Sequence, residues 1–312
     1  MRKPGTIAAG IIVLVIAAAA CFYYVRNPER QTLDAAARTG VPGKFVALHD
    51  GVTHYLLDGP DTGRAVVLVH GFSVPAYIWD STASFLAAQG YRVVRYDEYG
   101  RGWSDRPNID YTADLYDRQL GELLDSLRIQ QPVDLAGVSM GGWVTATFAG
   151  RHPSRVHSLI LVDPVAGTAS RDLGAMSYPL IGSYLWQTTA VPKMAEGQAS
   201  DFLHPEHFPD WADRYRPQMR FKGFGHALLS TRRAEAGVAM DSVYRAVARG
   251  GVPVLLLWGT SDQTVPFARN ASVRAAIPSA EFHPIDGAAH LPILERAART
   301  DSLVLQFLKA RG

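Results

Sequence analysis

A mainly parallel α/β fold is what this chain predicts, and three observations carry the prediction. Short apolar runs of strand type alternate with helix-compatible segments between residues 45 and 309, an order that builds a parallel sheet covered by helices. One of these runs, 132–138, turns at Gly137-Val138-Ser139-Met140-Gly141 directly into a helix-compatible stretch over 143–151. The alternation stops once, between Pro164 and Gly251, where Pro, Met and aromatic residues accumulate instead.

Taken in order, 45–48 and 53–57 flank Asp50-Gly51, a hairpin signal at a sheet edge. Residues 65–69 (AVVLV) are a buried-strand run that ends in the loop His70-Gly71-Phe72-Ser73. A helix is predicted over 77–89, a strand over 92–96 and a helix over 113–128. The stripe Leu115, Leu120, Leu123, Leu124 and Leu127 on that last helix is core packing. Residues 158–162 (SLILV) form a strand that ends at Asp163. The run 252–258 (VPVLLLW) is another, and it ends at Gly259-Thr260-Ser261-Asp262. A short strand over 281–285 leads to Asp286-Gly287-Ala288-Ala289-His290 and then to a helix over 294–309.

The N-terminus is of a different kind. Residues 7–25 carry no charge and are flanked by Met1-Arg2-Lys3 and Arg26, and a helix of that length spans a bilayer core. Three exports compete. An uncleaved anchor is favoured by the aromatic stretch Phe22-Tyr23-Tyr24, which suits the interface. The small residues 17–20 allow a cleaved signal peptide, and Ala18-Ala19-Ala20-Cys21 is loosely lipobox-like. Basic residues on both sides leave a small bias toward a cytoplasmic N-terminus, with the folded domain extracytoplasmic. Residues 27–41 read as a polar tether or short helix. The division is therefore 1–40 as anchor and tether, and 41–312 as a single domain, a size that fits an α/β core with an insertion. Lys and Arg number 31 against 29 Asp and Glu, with no basic cluster, which argues against a nucleic-acid partner. The single cysteine, Cys21, excludes an intrachain disulfide. Nothing in the sequence sets an oligomeric state.

The chemistry is carried by the turn. A strand, a G-x-S-x-G turn and a helix form a nucleophile elbow, which lifts Ser139 clear of the sheet at a helix N-terminus. Gly137 and Gly141 stand where Cβ atoms would collide. A serine needs a base, and the base needs a partner that holds its tautomer. The chain order for such elbows is Ser, acid, His, which fits Asp262, in the more typical turn at the carboxyl end of a buried strand, as the acid and His290 as the base. Asp163 is the rival acid. An oxyanion needs preorganised donors, and the candidates are the backbone N–H groups of Met140 and Phe72, with the Ser73 hydroxyl nearby. His204 and His207 form an H-x-x-H around Glu206, but prolines interrupt the stretch and no further ligands follow. No metal or cofactor is expected.

Several motifs in this order, HGF at 70–72, YDEYGRGWSDRP at 96–107, GVSMGG at 137–142, LVDP at 161–164, LLLWGTSDQTVP at 255–266 and GAAHLP at 287–292, make the chain resemble the capped serine-hydrolase branch of the α/β-hydrolase superfamily. The resemblance covers 44–309. It implies a mainly parallel eight-stranded sheet, with a helical cap inserted over about 169–249 above Ser139. It makes Asp97, Gly100, Gly102, Ser104 and Asp105 a structural loop under the site. Relatives with an Asp nucleophile are disfavoured by Ser139. Carbon–carbon bond hydrolases are disfavoured because the loop after His70-Gly71 lacks their Gly-Pro-Gly. Perhydrolases and cofactor-free haloperoxidases share the triad, so C–C, amide, thioester or perhydrolase chemistry stays an alternative to ester hydrolysis, and a non-catalytic binding fold a remote one. With the N-terminal anchor, the chain looks like membrane-anchored monoacylglycerol lipases and esterases. A small hydrophobic ester or lipid is the expected substrate. Met176, Tyr178, Trp186, Phe221 and Phe224 are candidate pocket residues, since ligand pockets are mostly apolar.

Overall fold

The computed structural model describes residues 4–167 and 173–311. Met1, Arg2 and Lys3 of the basic flank, Ala169 at the expected start of the insertion, and Gly312 lie outside the described residues. The sheet has eight strands: β1 Lys44–Leu48, β2 Gly51–Asp58, β3 Ala65–Val69, β4 Arg92–Tyr96, β5 Val133–Val138, β6 Val156–Val162, β7 Val254–Gly259 and β8 Glu281–Ile285. They run in the order β1-β2-β4-β3-β5-β6-β7-β8. The β1–β2 and β2–β4 pairs are antiparallel and the rest are parallel. The unbroken apolar runs of β3 and β7, and β5, apolar apart from Asp134, are buried on both faces, as parallel strands between helix layers must be. The alternating β1 stays half exposed at the edge.

The main helices are α1 Pro4–Arg26, α2 Asp80–Ala88, α3 Ala113–Ser126, α4 Met140–Arg151 and α5 Pro179–Leu185. Thr112 caps α3, its side chain accepting the Leu115 N–H. The α3 leucine stripe packs with Trp143 of α4 in one core layer, and Trp79, Leu86 and Phe307 pack in the layer on the other face.

Local differences from the sequence reading have physical reasons. Helix α4 begins at Met140 rather than 143 because the turn at Ser139 feeds straight into it. Helix α3 ends at Ser126, two residues before Arg128 takes a positive φ of 55°. The C-terminal helix is broken at Arg296 into Pro292–Glu295 and Ala297–Lys309. The helix Asn270–Ala276 was hidden by its short length and mixed pattern.

Between β6 and β7 the described chain is a series of short helical segments and two longer helices, Phe224–Ala236 and Met240–Arg249. Residues 27–34 form no helix. They lie against this insertion, with Gln31 bridging Phe221 in parallel. The Glu29 carboxylate accepts the Gly223 and Gly225 N–H groups at 2.6 and 2.7 Å and the Gln187 amide at 2.8 Å. Within α1, Ala8–Arg26 is long and apolar enough to cross a membrane.

Candidate active site

Ser139 sits between β5 and α4 with φ 54° and ψ −118°, a conformation L-residues rarely hold unless the surroundings over-determine it. Three backbone bonds do so here. Ser139 N–H donates to Val162 at 2.9 Å, and its carbonyl accepts Gly142 and Val165 N–H at 3.0 and 3.2 Å. The turn also needs its glycines. A Cβ on Gly137 would lie 2.2 Å from the Gly141 carbonyl oxygen, and one on Gly141 would lie 2.4 Å from that of Val69.

Asp262 follows β7 and His290 follows β8, so both arrive at the carboxyl ends of parallel strands, where ligand sites form in open sheets. His290 Nδ1 is 2.8 Å from Asp262 Oδ2, and both residues are buried. Asp262 Oδ1 accepts the Thr264 and Val265 N–H groups at 2.8 and 3.0 Å. The carboxylate is thus gripped at one oxygen and offers the other to the imidazole.

Asp163, the rival acid, is present in the same cluster. Its ligand atom lies within 4.8 Å of those of Asp262 and His290. Its φ is 44° and its Oδ1 accepts the Gly259 N–H at 2.9 Å. Burial pushes its carboxyl well above the usual range, and the neighbouring Asp262 adds to this. Asp163 thus sits behind the Asp262–His290 pair as a carboxyl that burial biases toward its neutral form, while Asp262 holds the imidazole. These three residues are a geometric candidate for a metal. However, three of the four carboxylate oxygens already serve protein N–H groups, which argues against one. His204 and His207 stack in the insertion with ring centroids 5.3 Å apart, and His204 pairs with Glu206. They join no three-ligand group among the described residues.

The loop after β3 is rigidly supported. His70 Nδ1–H donates to the Gly71 carbonyl at 2.7 Å, and His70 Nε2 accepts the Glu98 N–H at 2.9 Å. That pattern requires a neutral ring, in line with burial drawing His70 down to about 4. Glu98 lies 3.5 Å from His70. Burial raises its carboxyl to about 8, against the lowering pull of Arg101, so the contact is between neutral groups. The buried Arg101 guanidinium donates to the Phe72 carbonyl at 2.8 Å and to Tyr99 and Thr231, which fixes the Phe72 peptide. Met140 opens α4, where first-turn N–H groups have no intrahelical acceptor. Asp97 accepts the Ala76 and Trp103 N–H groups and pairs with His54, and Ser104 binds the Asp97 carbonyl. This loop braces the site from below.

Ser139, Met140, Phe72, Ser73 and His290 border one cavity of about 370 Å³. Of the five aromatic and Met pocket candidates, Trp186 lines it and the other four do not. Tyr178 points to solvent and Met176 is half-buried. Phe221 packs edge-on against Trp103, and Phe224 against Tyr215. A hydrophobicity pattern cannot separate insertion packing from pocket lining, and packing took these two. The polar part of the lining, Lys193, Gln198, Asp201, Arg232 and Glu235, left no signal in the sequence because irregular segments have no period. Asp201 bridges insertion and core: its carbonyl accepts the His290 N–H and its carboxylate the Thr264 hydroxyl.

A serine elbow at the carboxyl edge of a mainly parallel sheet defines the hydrolase class of α/β proteins. The chain belongs to the alpha/beta hydrolase fold family, whose model matches residues 64–297. It is 27% identical over 246 residues to Lipase 3 of Moraxella sp. (strain TA144), covering 77% of this chain and 75% of that one. To the non-heme chloroperoxidase of Streptomyces lividans it is 26% identical over 257 residues, covering 78% and 92%. Its fold is similar to that of the enol-lactonase from Burkholderia xenovorans LB400, with a TM-score of 0.74 and 22% identity over 85% of this chain and 100% of the other.

Proposed function

We propose that this chain is a serine hydrolase that cleaves carboxylic esters with an apolar acyl or alcohol part, held at a membrane by α1 with its folded domain extracytoplasmic. The observation that carries the reading is His290, held by a buried Asp262 at 2.8 Å, bordering the same cavity as a strained elbow serine. His290 Nε2 takes the proton from Ser139 Oγ as it attacks the ester carbonyl. The oxygen becomes an oxyanion received by the N–H groups of Phe72 and Met140. His290 then gives its proton to the leaving alcohol. Water, deprotonated by His290, attacks the acyl-enzyme, and the acid leaves as Ser139 recovers its proton. The lipase relative supports the ester reading. The chloroperoxidase relative supports a second one, in which peroxide replaces water in the last step and a peracid leaves.

Fluorophosphonate labelling with peptide mapping tests the nucleophile, and the label is expected on Ser139. A p-nitrophenyl ester chain-length series, run with and without peroxide, separates the two chemistries. A label elsewhere, or none, overturns the reading.

A further inference from the structure

Among the described residues, large apolar side chains exposed to solvent outside α1 are few. Ile109 and Leu203 are at the margin, whereas Tyr178 is 63% exposed, Leu180 86% and Ile181 60%. Single exposed apolar residues are ordinary, but a cluster calls for an occupant. This cluster lies at the start of α5, and α5 touches α1. Tyr184 donates its hydroxyl to the Ala19 carbonyl at 3.0 Å and stacks on Tyr23 with ring centroids 6.1 Å apart. One turn on, Arg26 donates to the Thr188 carbonyl at 3.1 Å. Leu180 and Ile181 precede Tyr184 by four and three residues, so they share the α5 face that meets α1.

Depth then follows from helix geometry. Ala19 lies seven residues inside the apolar span that ends at Arg26, which is about 10 Å along the axis. A side chain bonded to Ala19 is therefore already below the surface of any bilayer that α1 crosses. The chain after α5 runs directly into the active-site lining, through Trp186, Ala190 and Lys193.

We propose that the α5 face carrying Leu180 and Ile181, with Tyr178 just ahead of the helix, is a second membrane contact, seated in the bilayer interface beside α1. The cavity is then fed from the lipid phase, and the substrate is an ester whose apolar chain resides in the bilayer. The inference rests on the proposed ester chemistry and on α1 as an anchor, and the test separates the three.

Full-length protein is reconstituted in phosphatidylcholine–phosphatidylglycerol vesicles. An environment-sensitive fluorophore is placed on native Cys21, on Leu180→Cys in a Cys21→Ser background, or on Asp213→Cys in the same background as an exposed control. Nitroxide-labelled lipid is then added. Quenching is expected at 21 and 180 and not at 213. Quenching at 21 with none at 180 overturns this inference and leaves the anchor standing, including the case where the 180 probe is blue-shifted by a protein partner instead. No quenching at 21 overturns the anchor and this inference together. In the kinetic arm, Leu180→Asp with Ile181→Asp is expected to lower turnover of a long-chain monoacylglycerol in vesicles by about tenfold or more, with p-nitrophenyl butyrate hydrolysis within about twofold of the parent. Equal losses on both substrates overturn it. No activity of the parent on either ester overturns the ester chemistry instead.

Discussion

Asp262→Asn and Asp163→Asn are chemically the same change in carboxyls of one cluster, yet they are expected to differ by orders of magnitude. The Thr264 and Val265 N–H groups hold Asp262 Oδ1. In Asp262→Asn the amide oxygen must stay on those two donors, because an NH₂ there would face two N–H groups. The new NH₂ is thereby forced toward His290 Nδ1, where it can only donate. Nδ1 becomes an acceptor, the ring proton moves to Nε2, and His290 can no longer take a proton from Ser139. A wrong tautomer of this kind costs about 10⁴ in kcat, which is about 5.5 kcal/mol of transition-state stabilisation. Asp163→Asn meets no such conflict. Its oxygen keeps the Gly259 N–H, and its NH₂ takes the place of Asp163 Oδ2, which has no hydrogen-bond partner among the described residues, so a neutral amide replaces a carboxyl that burial already biases toward neutrality. Its loss should stay below about tenfold, or about 1.4 kcal/mol. The assay is kcat/KM on p-nitrophenyl butyrate for both variants, with circular dichroism to verify folding. If Asp163→Asn is the more damaging, the acid is on β6 and the reasoning fails. If both stay within tenfold of the parent, no carboxylate orients the base.

Ser139→Ala should remove about six orders of magnitude from turnover while leaving the melting temperature near that of the parent, checked by single-turnover assay and calorimetry. Glu98→Gln tests the buried acid. A carboxyl raised from 4.5 to about 8 contributes its stability fully below pH 4.5 and loses it as pH rises through 8. The variant should therefore match the parent near pH 4.5 and exceed it by up to about 3 kcal/mol at pH 7, read as a melting-temperature gap that widens with pH. Glu29→Ala leaves two backbone N–H groups unpaired and should cost about 2–3 kcal/mol by urea unfolding. Deleting residues 1–26 should move the protein from the membrane to the soluble fraction with p-nitrophenyl butyrate activity retained. A truncated protein that is insoluble or inactive would make α1 part of the fold.

The central strands were readable because buried parallel strands are apolar runs, as 65–69 is for β3, while 92–96 and 281–285 match β4 and β8 residue for residue although each carries charged or polar residues. Ser139, Asp262 and His290 could be nominated because each closes such a run at its carboxyl end. The shared cavity wall could not, since Asp201, Arg232 and Glu235 come from segments without a period. Nor could the role of Glu98, which depends on being buried behind His70 rather than on any spacing. The polar tether was recognised as polar, but its grip on the insertion through Glu29 needed coordinates, because a carboxylate in a tether looks like any solvated charge.

The backbone at residue 139 narrows what chemistry this scaffold could ever host. At φ 54° a β-branched side chain crowds its own peptide, so threonine is barred although its hydroxyl is as nucleophilic as serine's. Cysteine and aspartate, unbranched at Cβ beyond one substituent, fit the same turn. Single-residue routes therefore lead from this serine elbow to thiol or carboxylate nucleophiles without redrawing the fold, and no comparable route leads to a threonine enzyme.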